Sequence, residues 1–381
     1  MCRGDMFIRG IGRTKFGVLE ESVPQMLYSA IKNAQQDAHI RIEEIDACIV
    51  SNFIGGQLEN RCHINSLIPC LLPGFDKPCI RVESACASGG AALWSATKML
   101  GEFNHILVVG VEKMTAARNS LVTSALASAS DVEFEQNRGV VFPAAYALMA
   151  SEYFARYGRS PADLAKVALK NHHNANLNPL AHFYHKTISM SDIESSPVVC
   201  SPLRLLDCSP VSDGAAALVV SREPQGARDV SILACEMASD VIALSQRPDM
   251  AVSRVSRTAA RRAFKRAGIA CSDVDLAQVH DCFTINELIS LESLGFCEPG
   301  MAPSLDTALG GALPVNTDGG LKADGHPIGA SGIAQVVETA MQLRGEAGAR
   351  QVKGAKIGLA HNIGGSGGSA VVSILKGCAD V

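Results

Sequence analysis

The chain repeats itself. "AIKNAQQDAHIRIEEIDACIV" (30–50) and "ARRAFKRAGIACSDVDLAQV" (260–279) share an Ala-rich helical stretch, a short linker, an acidic residue before Ile45-Asp46 or Val274-Asp275, and a strand-like run. Further on, "CASGGAALWSATKMLGE" and "GASGIAQVVETAMQLRGE" both read as helices opening on Ala-Ser-Gly, and the strand-like "HILVVGV" and "AKIGLAH" follow them. Each half closes on a short, small-residue apolar run, "DGAAALVVS" (213–221) or "GGSAVVSIL" (367–375), as a strand buried in a sheet requires. A chain that repeats an order of elements reads as two copies of one fold. Helices alternating with buried strands make each copy an α/β lobe with a mostly parallel sheet.

The copies differ by an insertion. Residues 113–205 interrupt the first and have no counterpart in the second, where about 10 to 20 residues are expected. Within it "FPAAYALMASEYFARYG" and "SPADLAKVALKNHHN" read as helices, the second with Ser160 as N-cap and Pro161 at its first position. The expected organisation is an N-terminal lobe over 1–222, interrupted by this lid-like segment, and a C-terminal lobe over 229–381.

Composition limits the functions such a chain can have. A net charge of −4 and a pI near 6.2 provide no basic face for nucleic acid. No apolar stretch approaches the roughly 18 residues of a membrane span. Thirteen cysteines, an odd number without a C-x-x-C pair, indicate reduced thiols, packed for the most part as small hydrophobes, and no metal site. With no secretory signal and a C-terminal "KGCADV" lacking a peroxisomal tripeptide, the expected setting is cytoplasmic.

Cys86, taken alone, reads as a packed thiol, and its surroundings are what point to chemistry. It opens a helix, where the local positive potential lowers a thiol pKa from about 8.5. Ala87, Ser88, Gly89 and Gly90 leave room for a ligand at the sulfur and for N–H groups aimed at an oxyanion. "GHPIGASG" puts His326 before the matching helix of the second copy, so pseudo-twofold packing brings a thiol and an imidazole together. "HDCF" (His280–Phe283), "NTDGGLKADGHPIGASG" (316–332) and "HNIGGSGG" (361–368) are polar or Gly-rich loops at strand ends, where an α/β fold builds its active-site rim. Taken singly each is an ordinary turn, and His280 or His361 is equally well a structural histidine.

As a set, "ESACASGG", "SPLRLLDCSPVSDGAAALV", "HDCF", "GLKADGHPIGASG" and "HNIGGSGGSAVV" resemble the thiolase superfamily in order over nearly the whole chain, and "HDCF" resembles its sterol-carrier-protein type. The resemblance implies two duplicated βαβαβαββ lobes in a five-layered α-β-α-β-α sandwich, with the insertion as a loop domain over coenzyme A. It implies Cys86 as acyl-carrying nucleophile, His326 as its activator and Cys282 as acid/base at the substrate α-carbon. Cys282 would replace the C-x-G cysteine of common thiolases, where this chain has Asn362. His280 and His326 would serve the first oxyanion hole, and the amides of Cys86 and Gly364 the second. Coenzyme A and its thioesters would be substrates with no further cofactor, dimers or tetramers are usual, and some relatives work with a small OB-fold, zinc-containing partner. The alternatives are a ketoacyl synthase-like acyltransferase and a non-catalytic acyl-CoA-binding or scaffold subunit. Acyl chain length and the nucleotide-binding residues are not legible; Met114 or Met149 would border the acyl site.

Overall fold

The structure, a computed structural model, describes residues 6–378. The chain ends on which the targeting expectation rests therefore lie outside the described residues. The first copy runs β1 (Phe7–Arg13), α1 (Val23–Asp37), β2 (Ala47–Ser51), short α2 (Gly55–Leu58) and α3 (Leu67–Leu71), β3 (Cys79–Val82), α4 (Ser88–Met99) and β4 (His105–Glu112). The insertion follows as α5 (Asn119–Ala127), α6 (Phe142–Tyr157), α7 (Pro161–Ala175), α8 (Met190–Ser195) and the hairpin β5 (Val198–Cys200) and β6 (Leu203–Arg204); β7 (Gly214–Ser221) then closes the copy. The second copy runs β8 (Val230–Ser239), α9 (Arg254–Ala267), β9 (Leu276–Gln278), α10 (Thr284–Leu294), α11 (Gly320–Ala323), α12 (Ile328–Arg344), β10 (Ile357–Gly364) and β11 (Ser369–Gly377).

The first sheet is ordered β3-β2-β4-β7-β1 and the second β8-β11-β10-β9, and a short antiparallel pairing of Phe7 and Ile8 with Ser231 and Val230 joins them at the edge. The third strand of the second copy is reduced to a single bridge, Val315 beside Ala277. α4 and α12 lie between the sheets, sharing one apolar core with both inner faces. α1 covers the outer face of the first sheet, and α9 and α10 that of the second. Five layers result. α12 is buried on nearly all sides, as a helix between two sheets must be, which explains its run of small and apolar residues.

Glycine sets how closely the central helices approach. A Cβ on Gly89 would lie 2.8 Å from the Ile333 nitrogen, and one on Gly332 2.5 Å from the Gly90 nitrogen. Backbone therefore meets backbone where α4 crosses α12, and the helix starts, one after Cys86 and one after His326, are drawn together. The insertion is confined to the first copy. In the second, the matching connection is the turn Gly365–Gly368, shorter than expected, because an antiparallel pair closes with a tight glycine turn.

Candidate active site

Cys86 sits on a constrained turn. Ala85 before it is held at φ 48°, in the left-handed region that a residue with a Cβ rarely adopts. Ser88 clamps the turn: its Oγ accepts the Ser84 N–H at 2.9 Å and donates to the Ala85 carbonyl. Sγ of Cys86, one ring nitrogen of His280 and one of His326 lie within 4.8 Å of one another, all buried. The two rings are nearly perpendicular, 5.1 Å between centroids.

His326 follows the loop 316–325, which is braced by the rest of the molecule. Asp281 accepts N–H bonds from Leu321 (2.7 Å) and Lys322 (3.2 Å) and a bond from Asn171 Nδ2 of α7 (2.7 Å). Asp324 pairs with buried Arg13 at 3.0 Å. At the ring, Ser331 Oγ donates to the Pro327 carbonyl (2.9 Å) and lies 2.7 Å from His326 Nδ1. With the hydroxyl hydrogen so used, Nδ1–H is the donor and Nε2 keeps its lone pair, unpartnered and facing the thiol. Burial pushes the imidazole down to about 3, so this base is neutral at rest.

Cys86 departs from the helix-terminus expectation. Burial pushes its thiol up to about 12, although the N–H of Gly365 donates to the sulfur. Desolvation in an apolar cavity outweighs the helix potential, so thiol and imidazole both rest uncharged. Cys282 borders the same cavity, and burial and then the proximity of Cys86 raise it well above the ordinary thiol range, against the pull of the Tyr146 hydroxyl. Burial likewise holds His280 far below the usual imidazole value.

The cavity, about 420 Å³, is mostly apolar. Cys86, Cys282, His326 and Gly365 form its floor, while α5 (Val122, Leu126), α6 (Phe142, Tyr146) and the hairpin side (Val199, Leu205) supply the roof from the insertion. Met114 lines it; Met149 lies in the core. His361 faces the opposite side of the sheet, 2.9 Å from Ser256 of α9. Gly364 ends β10, and the N–H that reaches Sγ belongs to the next residue, Gly365. Tyr146 goes unnoticed in the sequence because it sits in a core-like helix; its hydroxyl donates to the Gly365 carbonyl at 3.0 Å and its ring stacks on Phe283, centroids 4.6 Å apart. The roles of Asp281 and Asn171 escape because only folding joins them.

A buried thiol facing a neutral imidazole base, in an apolar cavity roofed by an insertion on a duplicated α/β fold, defines an acyltransferase. Residues 6–224 match the family model "Thiolase, N-terminal domain" and 237–377 match "Thiolase C-terminal domain-like". The chain is 44% identical to an acetyl-CoA acetyltransferase of Methanothermobacter thermautotrophicus, over 98% of this chain and 99% of that one. It is 32% identical to sterol carrier protein 2 of Homo sapiens, over 97% of this chain and 72% of that one. Among solved structures it is similar to the Ltp2-ChsH2(DUF35) aldolase (TM-score 0.83, 23% identity, 98% of both chains) and to human mitochondrial 3-ketoacyl-CoA thiolase (TM-score 0.75, 18% identity, 98% of both). The chain belongs to the thiolase family, and it is an acyltransferase.

Proposed function

We propose that this thiolase splits a 3-oxoacyl-CoA with coenzyme A, or runs the reverse condensation of acetyl-CoA, in two half-reactions through acyl-Cys86. The observation that carries the residue assignment is the unpartnered Nε2 of His326 beside the Cys86 thiol in a mostly apolar cavity. As the sulfur attacks the 3-keto carbon, Nε2 takes its proton and becomes a donor. The C2–C3 bond breaks, leaving the enolate of acetyl-CoA, whose oxygen is stabilised at His326 and on the His280 side, and Cys282, kept protonated by burial, delivers its proton to C2. Free CoA then attacks acyl-Cys86 while its thiol proton passes to the Cys282 thiolate. The oxyanion of this step is assigned to the N–H groups of Cys86 and Gly364, beside Gly365, and Cys86 leaves with the proton held on His326.

The apolar roof supports the reading of 113–205, within lobes 1–222 and 229–381, as a loop domain over the CoA thioester. β3, a sheet edge with Ile80 exposed, offers a second copy an unpaired strand, which supports a dimer or higher assembly. A DUF35 component in the name of one solved relative supports a partner protein, and the thiolase resemblance makes the small OB-fold, zinc-containing kind the candidate. The free thiols of the described cysteines support a cytoplasmic setting. No described helix is long and apolar enough to cross a membrane.

The test is CoA-dependent loss of acetoacetyl-CoA, followed by its enolate absorbance, with wild type and Cys86→Ala side by side. Thiolysis by the wild type alone is expected. An active Cys86→Ala enzyme overturns the assignment of the nucleophile.

A further inference from the structure

The geometry points to Asn362 as the residue that fixes where His280 carries its proton, and so makes His280 a hydrogen-bond donor to the enolate oxygen. Asn362 lies on β10, where common thiolases carry their second cysteine. Its amide has three partners: Oδ1 accepts the Gly90 N–H at 3.1 Å, and Nδ2 lies 3.0 Å from the Cys86 carbonyl and 3.1 Å from His280 Nδ1. Turning the amide over would set NH₂ against the Gly90 N–H and oxygen against the Cys86 carbonyl, so one orientation is selected. Nδ2 can only donate. His280 Nδ1 must then accept, and the ring proton of neutral His280 sits on Nε2, which is buried and has no partner.

His326 has the opposite arrangement, its proton on Nδ1 by way of Ser331. Two imidazoles 5.1 Å apart, each with a ring nitrogen within 4.8 Å of the Cys86 sulfur, thus hold one N–H and one lone pair beside it, which is what an enolate oxygen and a thiol proton each require. The same assignment bears on the metal-like spacing of Cys86, His280 and His326: with its proton on Nε2, His280 offers no lone pair there to an ion.

What the donor does rests on the thiolase reading; where the proton lies does not, and the two are measured separately. Solid-state ¹⁵N spectra of [¹⁵N]histidine-labelled wild type, with the His280 signals assigned by their loss in His280→Gln, are expected to show Nε2 protonated and Nδ1 bare. A protonated Nδ1 in active enzyme overturns the inference and leaves the thiolase reading standing. The kinetic arm uses Asn362→Asp and exchange of the α-protons of acetyl-CoA. A carboxylate there raises the His280 pKa and draws the proton to Nδ1, so above that pKa Nε2 loses its hydrogen, while below it the imidazolium still donates. Exchange relative to wild type is expected to fall roughly 100-fold at pH 8 and to recover severalfold toward pH 6. A loss independent of pH marks Asn362 as merely structural and overturns the inference.

Discussion

The starts of α4 and α12 occupy equivalent places, each against the strand ends of the opposite lobe, yet only one place is open. At the strand starts the lobes carry matching bonds. Asp46 accepts the N–H groups of Asn104 and His105, and Asp275 those of Lys356 and Ile357, all at 2.7–3.0 Å. Counting along each strand from those caps pairs Gly110 with Asn362 and Glu112 with Gly364; counting from the aspartates themselves pairs Ser51 with His280; the Ala-Ser-Gly helix starts pair Gly329 with Cys86. At the first-lobe strand ends, Ser51 Oγ donates to the Gly329 carbonyl at 2.6 Å. Glu112 accepts from Gly329 N (3.0 Å), Phe53 N (2.9 Å), Ile54 N (3.2 Å) and Asn52 Nδ2 (2.7 Å). A Cβ on Gly110 would lie 2.1 Å from the Gly329 carbonyl, so backbone fills that side. Where the sealed place has Ser51, Gly110, Glu112 and Gly329, the open place has His280, Asn362, Gly364 and Cys86. Duplication supplies the frame, and four matched positions decide whether it is sealed or reactive.

After the loss of thiolysis in Cys86→Ala, the largest effect expected on the open side is that of Cys282→Ala. Acyl transfer to Cys86 should persist, while α-proton exchange of acetyl-CoA should fall by about 10²–10⁴. Exchange at the wild-type rate would place the acid elsewhere. On the sealed side, Glu112→Gln replaces an acceptor of four donors with an amide that must turn NH₂ toward two of them, and should cost about 1–3 kcal/mol in denaturant unfolding. An unchanged midpoint would show that this carboxylate does not hold the sealed place shut. The smallest effect concerns what the lobes share. Asp46→Asn and Asp275→Asn each weaken one pair of N–H bonds and should cost about 1 kcal/mol apiece, and nearly the same. A large inequality would break the equivalence on which the pairing of positions rests.

Much of this frame is legible in sequence because its signals are local. The Ala-rich helices, the acidic residues before Asp46 and Asp275 and the small-residue closing strands recur in order, and the Gly-rich helix starts foretell close backbone crossing. The single-bridge third strand is not legible, since Val315 lies in a loop without strand periodicity. Nor is the state of Cys86: a helix start is visible in sequence, but the desolvation that outweighs it comes from Tyr146, Phe142 and the rest of the roof, which only folding brings over the thiol. "HNIG" marks Asn362 as a substitution for cysteine, and only the fold shows its amide reaching His280.

The central claim is that Cys86, alone among the cavity thiols, carries the acyl group. Rapid quenching of the enzyme with acetoacetyl-CoA, followed by digestion and mass analysis of its peptides, tests it most directly. An acetyl mass on the peptide bearing Cys86, discharged on adding free CoA, is the predicted result. Stable label on Cys282 or Cys208, with Cys86 unmodified, would contradict it.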